Sequence, residues 1–190
     1  LPYLGLHETT DENGDPVKDT LYYQVPKFSF VDHDSLIISH NDYAGHIYVA
    51  DFFFTHCPSI CPIMSSQMAR LYVMLEEAGL LGEVKLLSHT VDPARDHPAR
   101  LKEYKNQLGV PDDENWRMVT GDPADLRYQT EQGYMVTAFE SDTAAGGFFH
   151  TDQFVLVDRK MHIRGYYDGT STAAVNRLFE DIKILAGEND

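Results

Sequence analysis

Cys57 and Cys61, in the stretch FTHCPSICPIM, are the only cysteines in this chain of 190 residues. Thiolates attack disulfides and bind soft metal ions, so a close pair of them is suited to either kind of chemistry. Two cysteines are too few to build a disulfide framework for a chain of this length. The hydrophobic core must hold the fold together, which leaves the pair available for chemistry.

The residues around the pair predict a turn from a strand into a helix. The segment 46–54 (HIYVADFFF) is typical of a strand that is buried on both faces. Pro62 suits the first turn of a helix, and Gly79 marks the end of that helix. Cys61 is therefore expected at a helix N-terminus, where the dipole and the unpaired N–H groups favour a thiolate. Three intervening residues allow both sulfurs to lie near one point.

The remaining elements alternate between strands and helices, which predicts an α/β sheet covered on both sides. We expect one domain, residues 1–190, that begins with a polar arm or hairpin over residues 1–25. The other predicted elements are a hairpin around 32–35, strands at 83–92 and 116–120, a helix at 97–109, a helix capped by Asp122, a loop at 140–149, a hairpin of strands 153–158 and 162–167, and a last helix from about Ser171.

The spacing of the pair leaves three interpretations open, namely two inert buried thiols, disulfide exchange and metal binding. Thioredoxin-type enzymes use C-x-x-C, one residue shorter, and carry a proline before a later strand. Here no proline follows Pro123, and the corresponding stretch, FFHTDQFVLVD, offers His150 instead. Two thiolates and one imidazole suit Cu(I), and the same donors can hold Cu(II) or Zn(II). His150 therefore favours metal binding over disulfide exchange.

Three motifs, taken together and in order, resemble the Sco (SenC) family of copper-binding proteins. They are VADFFFTHCPSICPIMSSQM at 49–68, VDPARDHP at 91–98, and His150 before QFVLVD. The resemblance extends from the initial LPYLG to the last helix. It implies a thioredoxin-like fold, with a central mixed sheet flanked by helices and an N-terminal extension. It also implies a copper ion, Cu(I) or Cu(II), held by Cys57, Cys61 and His150.

The same resemblance implies a metallochaperone that helps to assemble the Cu(A) site of cytochrome c oxidase, with subunit II as its partner. Members of this family are usually tethered to a membrane on its extracytoplasmic, periplasmic side. The alternative is an extracytoplasmic thiol–disulfide reductase that uses Cys57 and Cys61 as its redox pair. A redox or copper sensor would use these residues too. We expect a monomer.

The composition limits the class of partner. The formal charge is −15, from 15 basic and 30 acidic residues, which argues against nucleic acid or anionic lipid as the main partner. No apolar run is long enough to span a bilayer. Because the chain begins at Leu1 rather than Met, we expect a trimmed piece whose membrane tether lies upstream.

Two further histidines are candidates near the cysteines. His56 directly precedes Cys57 and adds an imidazole, although adjacent side chains often point apart. His89 lies near the end of a predicted strand that points towards the same region, so we expect it close behind the site.

Three aspartates also require an interpretation. Asp96 is expected to cap the helix that follows it. Asp92 is either a similar cap or part of an acidic loop that faces a partner. Asp51 interrupts an apolar strand, so it must be paired inside the protein or turned outward, because an unpaired buried carboxylate is costly.

Overall fold

The computed structural model describes residues 1–5, 7–11, 13–136, 139–140, 148–149 and 151–188. Its strands are β1 (His7–Thr10), β2 (Pro16–Tyr22), β3 (Ser29–Asp32), β4 (Ile37–Ser39), β5 (Ile47–Phe53), β6 (Val84–Thr90), β7 (Trp116–Thr120), β8 (Phe139–Glu140), β9 (Phe148–Phe149), β10 (Gln153–Val157) and β11 (Ile163–Asp168). Its α-helices are α1 (Ile60–Glu77), α2 (Pro98–Gln107), α3 (Pro123–Tyr128) and α4 (Thr172–Gly187). A 3₁₀ turn covers His40–Asp42, and a π-helical turn covers Gln129–Gly133.

Seven of the strands form one mixed sheet in the order β11-β10-β5-β6-β7-β3-β4. The three strands β5, β6 and β7 are parallel, and the other neighbours in this sheet are antiparallel. Helices α1, α2 and α4 contribute buried residues to the core on one face, and α3 contributes to the core on the other. The predicted mixed sheet with helices on both sides is therefore confirmed.

Strand β5 lies in the middle of this sheet, and all seven of its residues are buried. Ile47, Val49 and Phe53 belong to the core beneath α1 and α4. Tyr48 and Phe52 belong to the core on the opposite face. A strand that packs on both faces needs apolar side chains at nearly every position, which explains the uninterrupted apolar run.

Helix α1 presents an apolar stripe to the first core. Met64, Met68, Leu71 and Leu75 are fully buried and recur at the spacing of a helix face. The helix stops before Gly79, whose φ of +69° is a left-handed conformation that glycine adopts without strain. The predicted start near Pro62 is confirmed to within two residues, since α1 begins at Ile60.

The other predicted elements are also present. The N-terminal segment contains the antiparallel hairpin β1–β2, and β3–β4 and β10–β11 form the other two hairpins. Ser171 caps α4, and the Asp122 side chain accepts hydrogen bonds at the start of α3. The stretch expected as a loop, 140–149, differs at its ends, because β8 pairs with β9. Among the described helices, none combines the length and the apolar character needed to cross a membrane.

Candidate metal and redox centre

The cysteine pair occupies the turn between β5 and α1, as the sequence predicts. The Cys57 N–H donates to the carbonyl of Phe54 at 3.2 Å, which closes the turn directly after the strand. Cys57 is 6% exposed, and Cys61, in the first turn of α1, is fully buried. Both cysteines are therefore buried, and Cys57 is the one with some surface exposure.

The two side chains lie against each other at the N-terminus of the helix. The backbone N–H of Cys61 donates to the Cys57 Sγ at 3.4 Å, and the Ser59 Oγ lies 3.7 Å from the same sulfur. Both cysteines are thiols and are not joined by a disulfide. The Cys57 sulfur thus receives one of the N–H groups that a helix start leaves without an intrahelical acceptor.

The pKa values of the two thiols are shifted in opposite directions. Burial raises the pKa of Cys57, but hydrogen bonds from the Cys61 side chain and from the N–H groups of Ser59 and Cys61 outweigh it, so that the pKa is lowered overall. Burial and the hydrogen bond to Cys57 raise the pKa of Cys61 well above its usual range. Cys57 is therefore the sulfur that loses its proton first, while Cys61 keeps its proton.

A buried carboxyl group lies beneath the pair. Asp51 is 1% exposed and sits on β5 next to Ser88 of β6. Burial raises its pKa to about 7, and a hydrogen bond with the Ser88 side chain opposes this shift. The Trp116 indole donates to the Ser88 Oγ at 2.9 Å, so the hydroxyl proton of Ser88 is available to Asp51. The charge of Asp51 adds to the rise in the pKa of Cys61, which identifies the two as neighbours.

Asp96 is not the helix cap that the sequence predicts. His97 occupies the cap position of α2, and its Nδ1 accepts from the Arg100 N–H at 3.3 Å. Asp96 is fully buried and accepts from the Thr55 N–H (3.0 Å), the Thr55 hydroxyl (2.6 Å) and the Thr90 hydroxyl (2.6 Å). It therefore ties the turn that carries the cysteines to the end of β6.

Asp92 lies beside this arrangement and is 5% exposed. Burial raises its pKa, the nearby Arg95 opposes the rise, and Asp96 adds to it. His56 also lowers the pKa of Asp92, by less than Arg95 does, which indicates that His56 and Asp92 are close to each other. The Arg95 Nη1 is 3.5 Å from the Asp92 Oδ2.

His56 is exposed, and its Nδ1 lies 3.1 Å from the Thr55 Oγ1. The contact with Thr55 thus fixes the exposed imidazole against the turn.

His89 does not lie behind the cysteines as expected. It is fully buried on the opposite face of the sheet, where it stacks on Phe52 with 5.4 Å between ring centroids and contacts Phe30 and Tyr134 edge-on. Within the described residues neither of its ring nitrogens has a hydrogen-bond partner, and burial lowers its pKa to about 3. His89 is a neutral aromatic member of the second core.

His150 lies outside the described residues. The described chain resumes at Thr151 and enters β10, whose residue Val155 pairs antiparallel with Ala50 of β5. Because the two strands are antiparallel, the first residues of β10 lie at the end of the sheet where β5 stops.

A second cluster of potential ligands lies elsewhere in the described part of the chain. The ligand atoms of His33, Asp34 and Asp112 all lie within 4.8 Å of one another. The His33 Nδ1 accepts from the Met118 N–H at 3.2 Å, so its Nε2 carries the proton and donates to Asp112 at 3.0 Å. His33 has no lone pair left for a metal.

The carboxylates of this second cluster are bound by cations. The Lys105 Nζ is 3.0 Å from the Asp112 Oδ1, and Lys102 also bonds to Asp112, at 3.1 Å. The Arg117 guanidinium bonds to Asp34 at 2.9 Å. The cluster is a network of ion pairs within the protein, and its geometry alone does not make it a metal site.

The sequence of this chain is similar to that of a known protein family. The SCO1/SenC family model matches residues 17–186. The SCO1 protein homolog of Bacillus subtilis strain 168 is 27% identical over 170 residues, which cover 90% of this chain and 86% of that protein.

Solved structures agree with this match. A SCO1/SenC family lipoprotein from Bacillus anthracis superposes with a TM-score of 0.78 at 29% identity, over 86% of this chain and 95% of that one. BsSco, described as having a disulfide switch and as a member of the Sco family of cytochrome c oxidase assembly proteins, gives 0.77 at 26%, over 91% and 99%. Copper-bound ScoI of Bradyrhizobium japonicum has the same fold, with a TM-score of 0.66 at 23% identity, over 86% and 99%. The fold and the match of the family model over most of the chain agree, and the chain belongs to the SCO1/SenC family.

Proposed function

We propose that this chain binds one copper ion through Cys57, Cys61 and His150 and delivers it to the Cu(A) site of cytochrome c oxidase subunit II. The observation that carries the proposal is the pair of adjoining thiols at the start of α1, of which only Cys57 reaches the surface. Copper would be cargo, taken up and released at this one opening.

The donor set fits copper. Thiolate sulfurs select Cu(I), and an imidazole completes a set of three donors. Cys57 is the ready donor because its pKa is lowered, whereas Cys61 must release its proton when the metal binds. Loading is therefore expected to release protons.

The position of β10 supports His150 as the third donor. His150 precedes Gln153, the first residue of β10, by three positions. Because β10 runs antiparallel to β5, the chain enters it at the edge of the sheet where β5 leads into the cysteine turn.

The relatives support the cargo, the partner and the location. ScoI of Bradyrhizobium japonicum has been solved with copper bound, and BsSco belongs to a family of oxidase assembly proteins. The lipoprotein from Bacillus anthracis supports an anchored protein on the extracytoplasmic side of the membrane. The net charge of −15 suits a basic surface on the partner.

A second function, thiol–disulfide reduction, is favoured by the opposite pKa shifts of the two thiols. The Cys57 thiolate would attack a disulfide of the partner, forming a mixed disulfide and releasing one partner thiolate. Cys61 would then lose its proton and attack the Cys57 sulfur, releasing the second partner thiolate. The pair ends as a disulfide, and the partner gains two electrons and ends as a dithiol. The disulfide switch described for BsSco is consistent with such a reaction.

Copper stoichiometry tests the first function. We expect one copper per chain in the wild type and none retained in Cys57→Ser or Cys61→Ser, because each variant loses a thiolate donor. His97→Asn serves as the matched control, since it removes an exposed histidine of the same region and keeps a capping side chain. Full occupancy in either cysteine variant would place the site elsewhere.

Transfer tests the delivery step. Copper-loaded protein is mixed with the metal-free soluble domain of subunit II, and Cu(A) formation is followed by its visible absorbance. Transfer is expected from the wild type. An unchanged absorbance, with the copper still bound to the loaded protein, would contradict delivery.

His150→Ala separates the two functions. Its copper affinity should fall by at least about 10–100-fold, the loss typical of removing a residue that only supports a ligand. Formation of the Cys57–Cys61 disulfide needs the two sulfurs alone, so it should proceed at the wild-type rate. Both are measured, one by competition with a Cu(I) chelator and the other by thiol titration under mild oxidant. Unchanged copper affinity would exclude His150 as a ligand and favour the reductase.

A further inference from the structure

The Thr55 hydroxyl has three hydrogen-bond partners in the turn before the cysteines. It lies 2.6 Å from the Asp96 Oδ1, 3.1 Å from the Arg100 Nε and 3.1 Å from the His56 Nδ1. A hydroxyl offers one proton and two lone pairs, so three partners use its whole capacity.

The identity of the partners decides the direction of each bond. An ionised carboxylate only accepts, so the Thr55 proton goes to Asp96. Arg100 only donates, so it uses one lone pair of the hydroxyl. The remaining partner, His56, must donate as well, and its Nδ1 therefore carries the proton. In the neutral imidazole this leaves the lone pair on Nε2.

The neighbouring exposed histidine is held in the opposite state. The His97 Nδ1 accepts from the Arg100 N–H at 3.3 Å, so in the neutral ring the proton of His97 is on Nε2. The same region therefore contains one imidazole with a free Nε2 lone pair and one without.

The Nε2 lone pair of His56 lies on an exposed residue beside the cysteine pair. His56 is exposed and directly precedes Cys57, a residue that is 6% exposed, whereas Cys61 is fully buried. In the described part of the chain no protein group bonds to the His56 Nε2. An open nitrogen donor is therefore exposed to solvent on the residue directly before the buried Cys57.

We propose that His56 is an accessory copper ligand at the mouth of the cysteine pair, held by Thr55, Asp96 and Arg100 in the tautomer that keeps Nε2 free. It accepts copper by ligand exchange from an incoming copper complex and passes it to the two sulfurs. His56 therefore increases the rates at which copper is loaded and unloaded. The inference rests on the copper function proposed above for Cys57 and Cys61.

The tautomer is tested without any metal. Long-range ¹H–¹⁵N correlation spectra of the reduced, metal-free protein report which ring nitrogen of each histidine is protonated. We expect Nδ1–H for His56 and Nε2–H for His97, which is the internal control. Thr55→Val, which keeps the shape and removes the hydroxyl, should turn His56 into a mixture of tautomers and leave His97 unchanged. An Nε2–H tautomer for His56 in the wild type would overturn the proposal.

Copper loading tests the consequence. The probe is Cu(I) presented as its bicinchoninate complex, whose loss of colour gives the rate of transfer to the protein. His56→Ala should load about tenfold more slowly, the lower end of the effect of a residue that supports a metal ligand. His56→Met, which offers a thioether donor, should load at nearly the wild-type rate, and so should His97→Asn.

The outcomes distinguish this inference from the proposed function. Equal loading rates for wild type and His56→Ala would overturn the accessory role while leaving copper binding intact. A wild-type protein that takes up no copper would refute the proposed function and with it this role. The tautomer measurement needs no copper, so it tests the hydrogen bonds around His56 whether or not the protein binds copper.

Discussion

Two regions of this protein bury ionisable side chains, and they do so in opposite ways. Behind the cysteine pair, burial raises the pKa of Asp51 to about 7 and raises the pKa of Cys61 well above its usual range. In the cluster around His33, the Asp112 carboxylate is itself partly desolvated, but hydrogen bonds from Lys105 and Lys102 lower its pKa overall. In the first region burial favours the protonated forms of Asp51 and Cys61, and in the second region ion pairing favours the charged form of Asp112.

The difference shows why the second cluster, although it has the spacing of a metal site, is not the candidate. Its carboxylates already bind Lys102, Lys105 and Arg117, and His33 uses both ring nitrogens. The Cys61 N–H and the Ser59 hydroxyl, which lie at the Cys57 sulfur, carry no charge. Carboxylates that are already bound by cations offer fewer donor atoms to a metal.

The largest effect is expected from removing the buried cation of the second cluster. Lys105 is 1% exposed and donates to the Trp116 carbonyl at 2.7 Å and to Asp112. Lys105→Met should lower the free energy of unfolding by about 3 kcal/mol, because it leaves buried acceptors without a donor. Copper occupancy per folded chain should not change.

Urea unfolding and copper analysis measure the two quantities. Lys102→Met is the matched control, since Lys102 also bonds to Asp112 but its side chain is 43% exposed, so its loss should cost about 0–1 kcal/mol. Equal losses in the two variants would show that the buried position of Lys105 has no special weight.

The next effect is a pH dependence at Asp51. Its folded pKa of about 7 lies above the unfolded value of about 3.9, so the folded state holds the extra proton between these values. The free energy of unfolding should therefore fall as the pH rises from about 4 to 7. Asp51→Asn removes this fall, and relative to the wild type it should gain about 2 kcal/mol between pH 5 and pH 8.

Urea unfolding of the reduced, metal-free protein at the two pH values gives this difference directly. Glu180→Gln, a change of an exposed carboxylate, should show the wild-type dependence. If Asp51→Asn also kept the wild-type dependence, Asp51 would be ionised in the folded protein, and the contrast between the two regions would fail.

The smallest effect has the opposite sign and belongs to Asp112. Its lowered pKa means that its contribution is present above the unfolded pKa of about 3.9 and is lost as the pH falls towards the folded pKa. Asp112→Asn should reduce the acid-side loss of stability between pH 5 and pH 3. The change should be no more than about 1 kcal/mol, since a third of the side chain is exposed and solvent screens it. A steeper acid-side loss in the variant would contradict the assignment.

Local signals in the sequence predicted the framework of the site. The apolar run 46–54, Pro62 and Gly79 were sufficient to place Cys57 and Cys61 on a strand-to-helix turn, because the spacing of apolar residues and the backbone preferences of proline and glycine are local properties.

Contacts between distant residues were not predictable in this way. Asp96 was taken for a helix cap, but its partners Thr55 and Thr90 come from two other segments. His89 was placed on the wrong side of the sheet because β6 is buried on both faces, so that alternation along the strand does not tell which face meets α1. The signal for His56 was present in its neighbour Thr55, yet the bond from Thr55 to Asp96 that fixes its tautomer spans 41 positions.

The burial of β5 has a consequence for amide hydrogen exchange. Its residues are all buried and it is paired on both sides, with β6 and β10, so its amides should exchange only through global unfolding. The turn that begins at Phe54 follows it directly, and the amides of Thr55, Cys57 and Cys61 bond to Asp96 and to groups within the turn instead of to a neighbouring strand. The exchange rate of the β5 amides is therefore an internal reference. Compared with it, the exchange rates of the amides in residues 54–61 report whether the two sulfurs are reduced, oxidised or metal-bound.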